Sequence, residues 1–296
     1  MNFHMICSTW VNADDEKVLD VLRASEHWLS VEEIATKTGL SHAKIERTLK
    51  LLKQQMDMHE SRKNFYNGAL HQTKRKADTT MKKALIVYGG WEGHDPKGVA
   101  DVFTELLEAE NFEVTLSDTL DAFLGDLTQY NLIVPIWTMG ELSWEAEQNV
   151  CKAVASGVGI AGCHGGMCDA FRTSTEWQFM TGSQWVAHPG GDTVTYKVYI
   201  KKSAASDIIA DLEDFEVTSE QYYIHVDPAV NVLATTRFVL NNGSHISNGE
   251  VEVPVVYTKR WGKGKVFYNS LGHNHYIFDI PEAKELMRRG FLYAAK

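Results

Sequence analysis

Two periodicities divide this chain of 296 residues. Between residues 16 and 52, apolar side chains recur every three or four positions, which places them on one face of a helix. From residue 84 onward, short apolar runs alternate with amphipathic helical segments. After residue 176, apolar and polar residues alternate singly, as in half-buried strands. The pattern predicts a small helical domain followed by a larger domain built on a sheet.

The apolar runs of the larger domain predict a parallel sheet. Strands are expected at residues 84–89, 112–116, 130–137 and 158–162 and in VFYNSLG, with helices at 97–110, at 142–157 and after Pro281. Strands and helices that alternate at this spacing favour parallel strands joined by right-handed crossovers. The singly alternating runs after residue 176 predict antiparallel strands added to that sheet.

Residues 1–70 are predicted to form a winged helix-turn-helix domain. Ser30 is a typical helix start, Gly39 ends that helix, and Ser41 begins the next one. The stretch SVEEIATKTGLSHAKIERTLKLL resembles the winged-helix regulators, and Met56 to Leu70 would supply the two-stranded wing. The resemblance implies that the third helix contacts DNA through His42, Lys44, Arg47 and Lys50. A three-helix bundle used for dimerisation or docking remains the alternative, because this face is only moderately basic.

Charge separates the two parts of the chain. Residues 71–82 are polar and basic without periodicity, which predicts a linker. The first 80 residues hold 12 Lys or Arg and 11 Asp or Glu, whereas the remaining residues hold 17 and 28. The large domain, residues 83–296, is therefore acidic and a poor binder of phosphate backbones. DNA binding is expected only through residues 1–70.

Several general properties limit the compartment and the assembly. No apolar run approaches the roughly 18 residues that a bilayer span needs, and the first residues lack the pattern of a secretory signal. We therefore expect a cytoplasmic protein that does not bind membranes. The four cysteines include no C-x-x-C pair, which disfavours a finger-type zinc site and predicts free thiols. A homo-oligomer is expected on general grounds alone.

Histidines follow three of the predicted strands at the point where each strand ends. His94 lies in the loop after the first strand, His164 after the fourth, and His273 after the strand VFYNSLG. In an open parallel sheet, ligands bind outside the carboxyl ends of the strands. The three loops are therefore expected to converge on one site.

The motifs GGWEGHD, GIAGCHGG, HPGG, SEQYYIHVDP, YTKRWGKGKVFYNSLGH and FDIPEAKELMRRG resemble the trehalose-utilisation (ThuA-like) family over residues 83–296. The resemblance implies a flavodoxin-like, class I glutamine-amidotransferase-like fold and a role in the catabolism of disaccharides or keto-sugars. The winged-helix segment is not part of the usual family pattern. The family's signature positions fall on His94, His164, Gly165, His188, Glu220 and His273.

The histidines suggest acid–base or metal-assisted chemistry on a sugar, because imidazole titrates near neutrality and is a common metal ligand. We expect His164 and His273 to be the acid/base or metal-binding pair, assisted by His94 and Glu220. A divalent metal such as zinc or manganese would be held by His94, His164 and His273. Residues expected to bind the sugar, by stacking or hydrogen bonding, are Trp91, His94, Trp137, Gly165, Asp169, His188, Tyr222 and His225.

Two other functions stay open at this point. Cys163 in the stretch AGCHG lies between small residues, as a nucleophile elbow requires, which predicts a Cys-dependent amidotransferase-like hydrolase. Alternatively, the large domain would bind a sugar without catalysis and shift the helix-turn-helix on DNA, as a transcriptional regulator does.

Overall fold

The computed structural model describes residues 13–25, 29–56, 81–238 and 243–296. The chain divides into two compact units, Met1–Thr80 and Met81–Lys296. Within the described ranges, no helix is long and apolar enough to cross a membrane. The wing predicted after Met56 and the basic linker up to Thr80 lie outside the described residues.

The first unit contains the helices α1 (Ala13–Arg23), α2 (Val31–Thr38) and α3 (His42–Met56). A capping box starts α2: the Ser30 side chain accepts a hydrogen bond from the Glu33 amide, and the Glu33 carboxylate accepts one from the Ser30 amide. Gly39, in the left-handed region with φ of 72°, ends α2. The side chains that form the core of this unit include Val18, Leu19, Ile34, Ile45 and Leu49. Three helices thus follow one another in the expected order, and the winged helix-turn-helix assignment and DNA binding stay predictions.

The strands of the second unit are β1 (Lys82–Gly90), β2 (Phe112–Ser117), β3 (Leu132–Thr138), β4 (Gly159–Cys163), β5 (Ser183–Ala187), β6 (Val194–Ile200), β7 (Phe215–Ser219), β8 (Tyr223–Val226), β9 (Asn231–Arg237), β10 (Glu252–Trp261) and β11 (Gly264–Asn269). Its helices are α4 (Pro96–Ala109), α5 (Trp144–Ser156), α6 (Gly165–Cys168), α7 (Thr175–Thr181) and α8 (Pro281–Ala294). The main sheet has the order β2-β1-β3-β4-β11-β10-β9-β6-β7.

The first five strands of that order are parallel, and the last four join antiparallel. The prediction of a parallel sheet extended by antiparallel strands is confirmed. A sharp hairpin at Gly262 reverses the chain between β10 and β11, where the glycine takes a φ of 57°. This hairpin returns β11 to the centre of the sheet beside β4, so that the loop after β11 reaches the same edge as the loop after β4.

Helices cover both faces of the parallel half. Ala84 and Ile86 of β1 belong to a core formed with α4 and α8, whereas Leu85 and Val87 belong to a second core formed with α5. Successive strand residues point to opposite faces, so a strand that is apolar throughout must be covered on both sides. The continuous apolar runs seen in the sequence have this physical origin.

A separate two-stranded sheet, β5 paired antiparallel with β8, lies outside the main sheet. Glu220 and Tyr222 lie in the short segment between β7 and β8, and His188 directly follows β5. This small sheet therefore brings residues from the second half of the domain toward the edge where β1, β4 and β11 end.

Candidate metal centre

Four buried side chains meet where the parallel strands end. His94 follows β1, His164 follows β4, and His273 follows β11, while Glu220 enters from the segment between β7 and β8. One ligand atom from each of the four lies within 4.8 Å of the others. The structure thus brings together the three histidines expected from the strand ends and the acid that the family resemblance implied.

The Oε2 atom of Glu220 is the centre of this cluster. Its distances to imidazole nitrogens are 3.1 Å to His164 Nε2, 3.4 Å to His273 Nδ1, 3.5 Å to His188 Nδ1 and 3.6 Å to His94 Nε2. One carboxylate oxygen therefore faces four imidazole nitrogens, of which only that of His188 belongs to a side chain with substantial exposure, 37%.

The far sides of two imidazole rings are held by hydrogen bonds. His164 Nδ1 lies 2.8 Å from the Ser270 carbonyl oxygen, which can only accept, so Nδ1 carries a proton and donates it there. His94 Nδ1 lies 2.8 Å from Thr138 Oγ1. Metal-binding histidines are commonly oriented in this way by a partner on the nitrogen that does not bind the metal. Both rings thus present Nε2 to Glu220.

Burial decides the charge of the cluster. It lowers the pKa of His164 to about 3, although the neighbouring Glu220 partly offsets this effect. Burial also opposes ionisation of Glu220, but the contacts with His164, His273 and His94 bring the pKa of its carboxyl well below the ordinary value. Near neutral pH, Glu220 is therefore ionised, and burial disfavours a positive charge on His164.

Two nitrogens of the cluster lack a hydrogen bond within the described part of the chain, and a cation between the four side chains would satisfy them. His94 Nε2 and His273 Nδ1 are buried, and neither has a hydrogen-bond partner among the residues that the structure describes. Buried polar atoms without a partner are costly, by about 1–3 kcal/mol each. Three imidazole nitrogens and one carboxylate oxygen form a donor set that suits zinc or manganese. The residues of the cluster could therefore hold a divalent metal.

His164 occupies the sharp turn between β4 and α6. Its φ of 47° and ψ of −141° are unusual for a residue with a side chain. Gly162, Gly165 and Gly166 make this turn possible, since a Cβ on Gly166 would lie 2.8 Å from the Ile136 Cα. The segment fits the G-x-X-x-G elbow pattern with His164 at its centre. The strained position at the strand end thus carries an imidazole, whereas the sequence pattern predicted the thiol of Cys163 there.

A second contact at this edge was not expected from the sequence. Asp95 has a φ of 46° and starts α4 by accepting a hydrogen bond from the Gly98 amide. Its other carboxylate oxygen pairs with Nδ1 of His275. Asp95 is next to His94, and His275 is two residues after His273. The Asp95–His275 pair therefore ties together the two loops that supply these histidines.

The aromatic ring of Tyr222 supports His164 from one side. The two rings are stacked with centroids 3.8 Å apart and an angle of 27°, and Tyr222 is only 2% exposed. The prediction that Tyr222 stacks on a sugar is corrected, because its face is covered by His164. Its position favours a role in orienting His164.

Comparison with known protein families identifies the large domain. A family model described as ThuA, trehalose utilisation, matches residues 83–294. The chain belongs to the ThuA family. No curated protein sequence matches it.

Solved structures share the fold of the ThuA domain. A ThuA-like protein from Parabacteroides merdae is 18% identical with a TM-score of 0.57, over 73% of this chain and 90% of that one. A ThuA-like protein from Bacteroides uniformis is 17% identical with a TM-score of 0.56, over 74% and 93%. A cytoplasmic protein from Salmonella typhimurium is 14% identical with a TM-score of 0.51, over 72% and 100%. At these identities the likeness concerns the fold alone.

The other predicted sugar-binding residues of the ThuA domain lie in different surroundings. Trp91 is 46% exposed, and its ring lies 4.7 Å from the His94 ring at an angle of 73°, so it borders the site. Trp137 is half-buried and packs against Gly89 and Gly140, where a Cβ would collide with its ring. His225 is exposed on β8 and is not a member of the cluster.

Two further residues from that prediction have structural partners. Asp169 is 3% exposed, and its carboxylate accepts two hydrogen bonds from Arg172. Gly165 makes room for His94, because a Cβ there would lie 2.7 Å from His94 Nδ1. Both residues thus shape the site through their neighbours.

The structure contradicts a catalytic role for Cys163. Its side chain is 1% exposed, and burial raises the pKa of the thiol far above its ordinary value. Gly272 closes over the sulfur so tightly that a Cβ there would lie 2.9 Å from Sγ. A nucleophilic cysteine must be an accessible thiolate. Cys163 is instead a small apolar residue of the core.

The predicted DNA-contact face of the first unit is partly engaged within that unit. Lys44 Nζ lies 2.7 Å from Asp14 Oδ2, so its charge is shared with a carboxylate. His42 and Arg47 are exposed. Lys50 lies in α3, but its side chain falls outside the described part of the chain.

Proposed function

We propose that this protein is a metal-dependent enzyme of carbohydrate catabolism that acts on a disaccharide or a keto-sugar. Zinc or manganese would be bound by His94, His164, His273 and Glu220. The observation that carries the proposal is the convergence of four donor atoms within 4.8 Å. In the described part of the structure, buried nitrogens of His94 and His273 find no other hydrogen-bond partner.

Membership of the ThuA family supports the choice of substrate, since the family is described by trehalose utilisation. The acidic character of the domain also favours a neutral ligand over a phosphorylated one. The half-exposed Trp91 ring beside His94 suits the apolar C–H face of a sugar ring.

A divalent metal in such a site polarises a bound carbonyl or hydroxyl group and lowers the pKa of a bound water. The protein's own contribution would be to orient the ligands and to exchange protons. His188 suits proton exchange, because its side chain is 37% exposed while Nδ1 lies 3.5 Å from Glu220. His164, which is buried and of low pKa, suits metal binding rather than proton transfer.

Elemental analysis of the purified protein tests the proposal. We expect close to one divalent metal ion per chain in the wild type and its loss in the His164→Asn variant. Asparagine can still donate to the Ser270 carbonyl, so the turn keeps its hydrogen bond. The His225→Ala variant is the matched control, because His225 is exposed and outside the cluster. Wild-type protein that binds neither zinc nor manganese when these are supplied would refute the metal centre.

A sugar-sensing regulator is the second candidate function. The helix-turn-helix order of α1 to α3 favours it. The discriminating experiment is a DNA-binding assay with and without trehalose. Binding that depends on the sugar and survives His164→Asn would favour the regulator over the enzyme.

A further inference from the structure

A groove of about 450 Å³ lies beside the cluster, on the side of His188. Trp185 and His188 belong to one wall, which continues from the end of β5. Ser244 and His245 belong to the opposite wall. This volume is within the range of about 300–1,000 Å³ that is typical of small-molecule sites.

His188 connects the groove to the candidate metal centre. Its side chain lines the groove, while its Nδ1 atom lies 3.5 Å from Glu220 Oε2. The Trp185 ring lies next along the same wall, with its centroid 5.4 Å from that of His188. A ligand that has one ring at the centre and extends past His188 therefore enters this groove.

Both walls are held in place by contacts outside the groove. The Arg172 guanidinium lies over the Trp185 ring at 4.6 Å and is itself fixed by two hydrogen bonds to the buried Asp169. Three residues after His245 of the other wall, Asn248 donates a hydrogen bond of 2.7 Å to the Tyr223 hydroxyl. The wall that contains Trp185 is thus preorganised, which reduces the entropy cost of binding a ligand.

The lining favours a neutral ligand with both apolar and polar surfaces. It combines an indole, two imidazoles and one hydroxyl, and the lining residues that the structure describes include no carboxylate, lysine or arginine. A pyranose ring has apolar C–H faces and a rim of hydroxyl groups, which match aromatic rings and scattered hydrogen-bonding groups.

We propose that this groove is the subsite for the second ring of a disaccharide whose first ring lies at the His94–His164–Glu220–His273 centre. The assignment rests on the proposed function, and it narrows the substrate from sugars in general to two-ring compounds. Trp185 is the residue that would distinguish a disaccharide from a monosaccharide.

Calorimetric titration of the metal-loaded full chain with trehalose and with glucose tests the subsite. We expect trehalose to bind the wild type about tenfold more tightly than glucose, as a well-stacked aromatic ring contributes about 1.4 kcal/mol. Trp185→Ala should abolish that preference and leave glucose affinity unchanged, and Trp185→Phe should retain most of it. Trp91→Ala is the matched control, because it should weaken both sugars alike.

Equal affinities for the two sugars in the wild type would overturn the subsite, and so would a Trp185→Ala variant that keeps the preference or weakens both sugars equally. In these cases the proposed sugar function would stand. If neither sugar binds the metal-loaded wild type, the subsite and the sugar assignment both fail. Metal content remains the separate test of the metal centre.

Discussion

Replacing Gly165 with alanine would test the centre through a single added methyl group. Gly165 begins α6, and its backbone is not in the left-handed region, so alanine is conformationally allowed there. The new Cβ would lie 2.7 Å from Cε1 and Nδ1 of His94 and 2.9 Å from Thr138 Oγ1. The substitution therefore acts on the position of His94 and on its hydrogen bond to Thr138.

The size of the displacement follows from these distances. Ordinary contacts to a Cβ begin at 3.4 Å, so the His94 ring must move by about 0.7 Å. The distance between a metal ion and a ligand atom varies by only about 0.2 Å around its usual value. Loss of a partner that orients a ligand typically lowers metal affinity by about 10–100-fold, and we expect at least this for Gly165→Ala. The helix preference of alanine, up to about 1 kcal/mol, offsets part of the packing strain, so we expect the domain to stay folded.

Isothermal titration with zinc and manganese, together with thermal unfolding of the metal-free protein, is the assay. Gly125→Ala serves as the control, because its Cβ would meet only the Ala122 carbonyl oxygen at 3.6 Å and its φ is −77°. Metal affinity in Gly165→Ala that equals the wild-type value, with the fold intact, would refute the reasoning that His94 is a ligand held in place by close packing.

Two further predictions concern the loops and the charge of the centre. His275→Ala and Asp95→Asn should each lower zinc affinity several-fold, because this pair connects the loops that carry His94 and His273. The circular dichroism spectrum should change little. An unchanged zinc affinity would show that Asp95 only caps its helix. The pKa of His164 is about 3 when folded and about 6.5 when unfolded, so the unfolded state binds more protons between these values. In EDTA, the free energy of unfolding should therefore fall as the pH is lowered from 6.5 toward 4, by at most about 1.4 kcal/mol per pH unit from this group. Urea titrations of His164→Asn should show a shallower dependence, and an equal slope would contradict the neutral buried imidazole.

Local structure and one edge of the site follow from the residue pattern alone. Short apolar runs that end in glycine or polar residues are typical of strands covered on both faces, and their alternation with helices favours parallel pairing. Since parallel strands end at one edge, the positions of His94, His164 and His273 after three strands predict that they lie together. Helix starts such as Ser30 were equally visible, because capping depends on residues within one turn.

Which atoms meet at that edge depends on how distant segments of the chain pack together. His164 and Glu220 lie 56 residues apart, and no periodicity relates them; the small sheet of β5 and β8 brings them to 3.1 Å. The pairing of Asp95 with His275 and the covering of Tyr222 by His164 likewise depend on how separate loops pack. The elbow shows the same limit, since the flanking glycines fitted either Cys163 or His164. Which side chain faces the site and which enters the apolar core depends on backbone direction at one residue, and the folded chain turns the imidazole toward the centre and the thiol into the core.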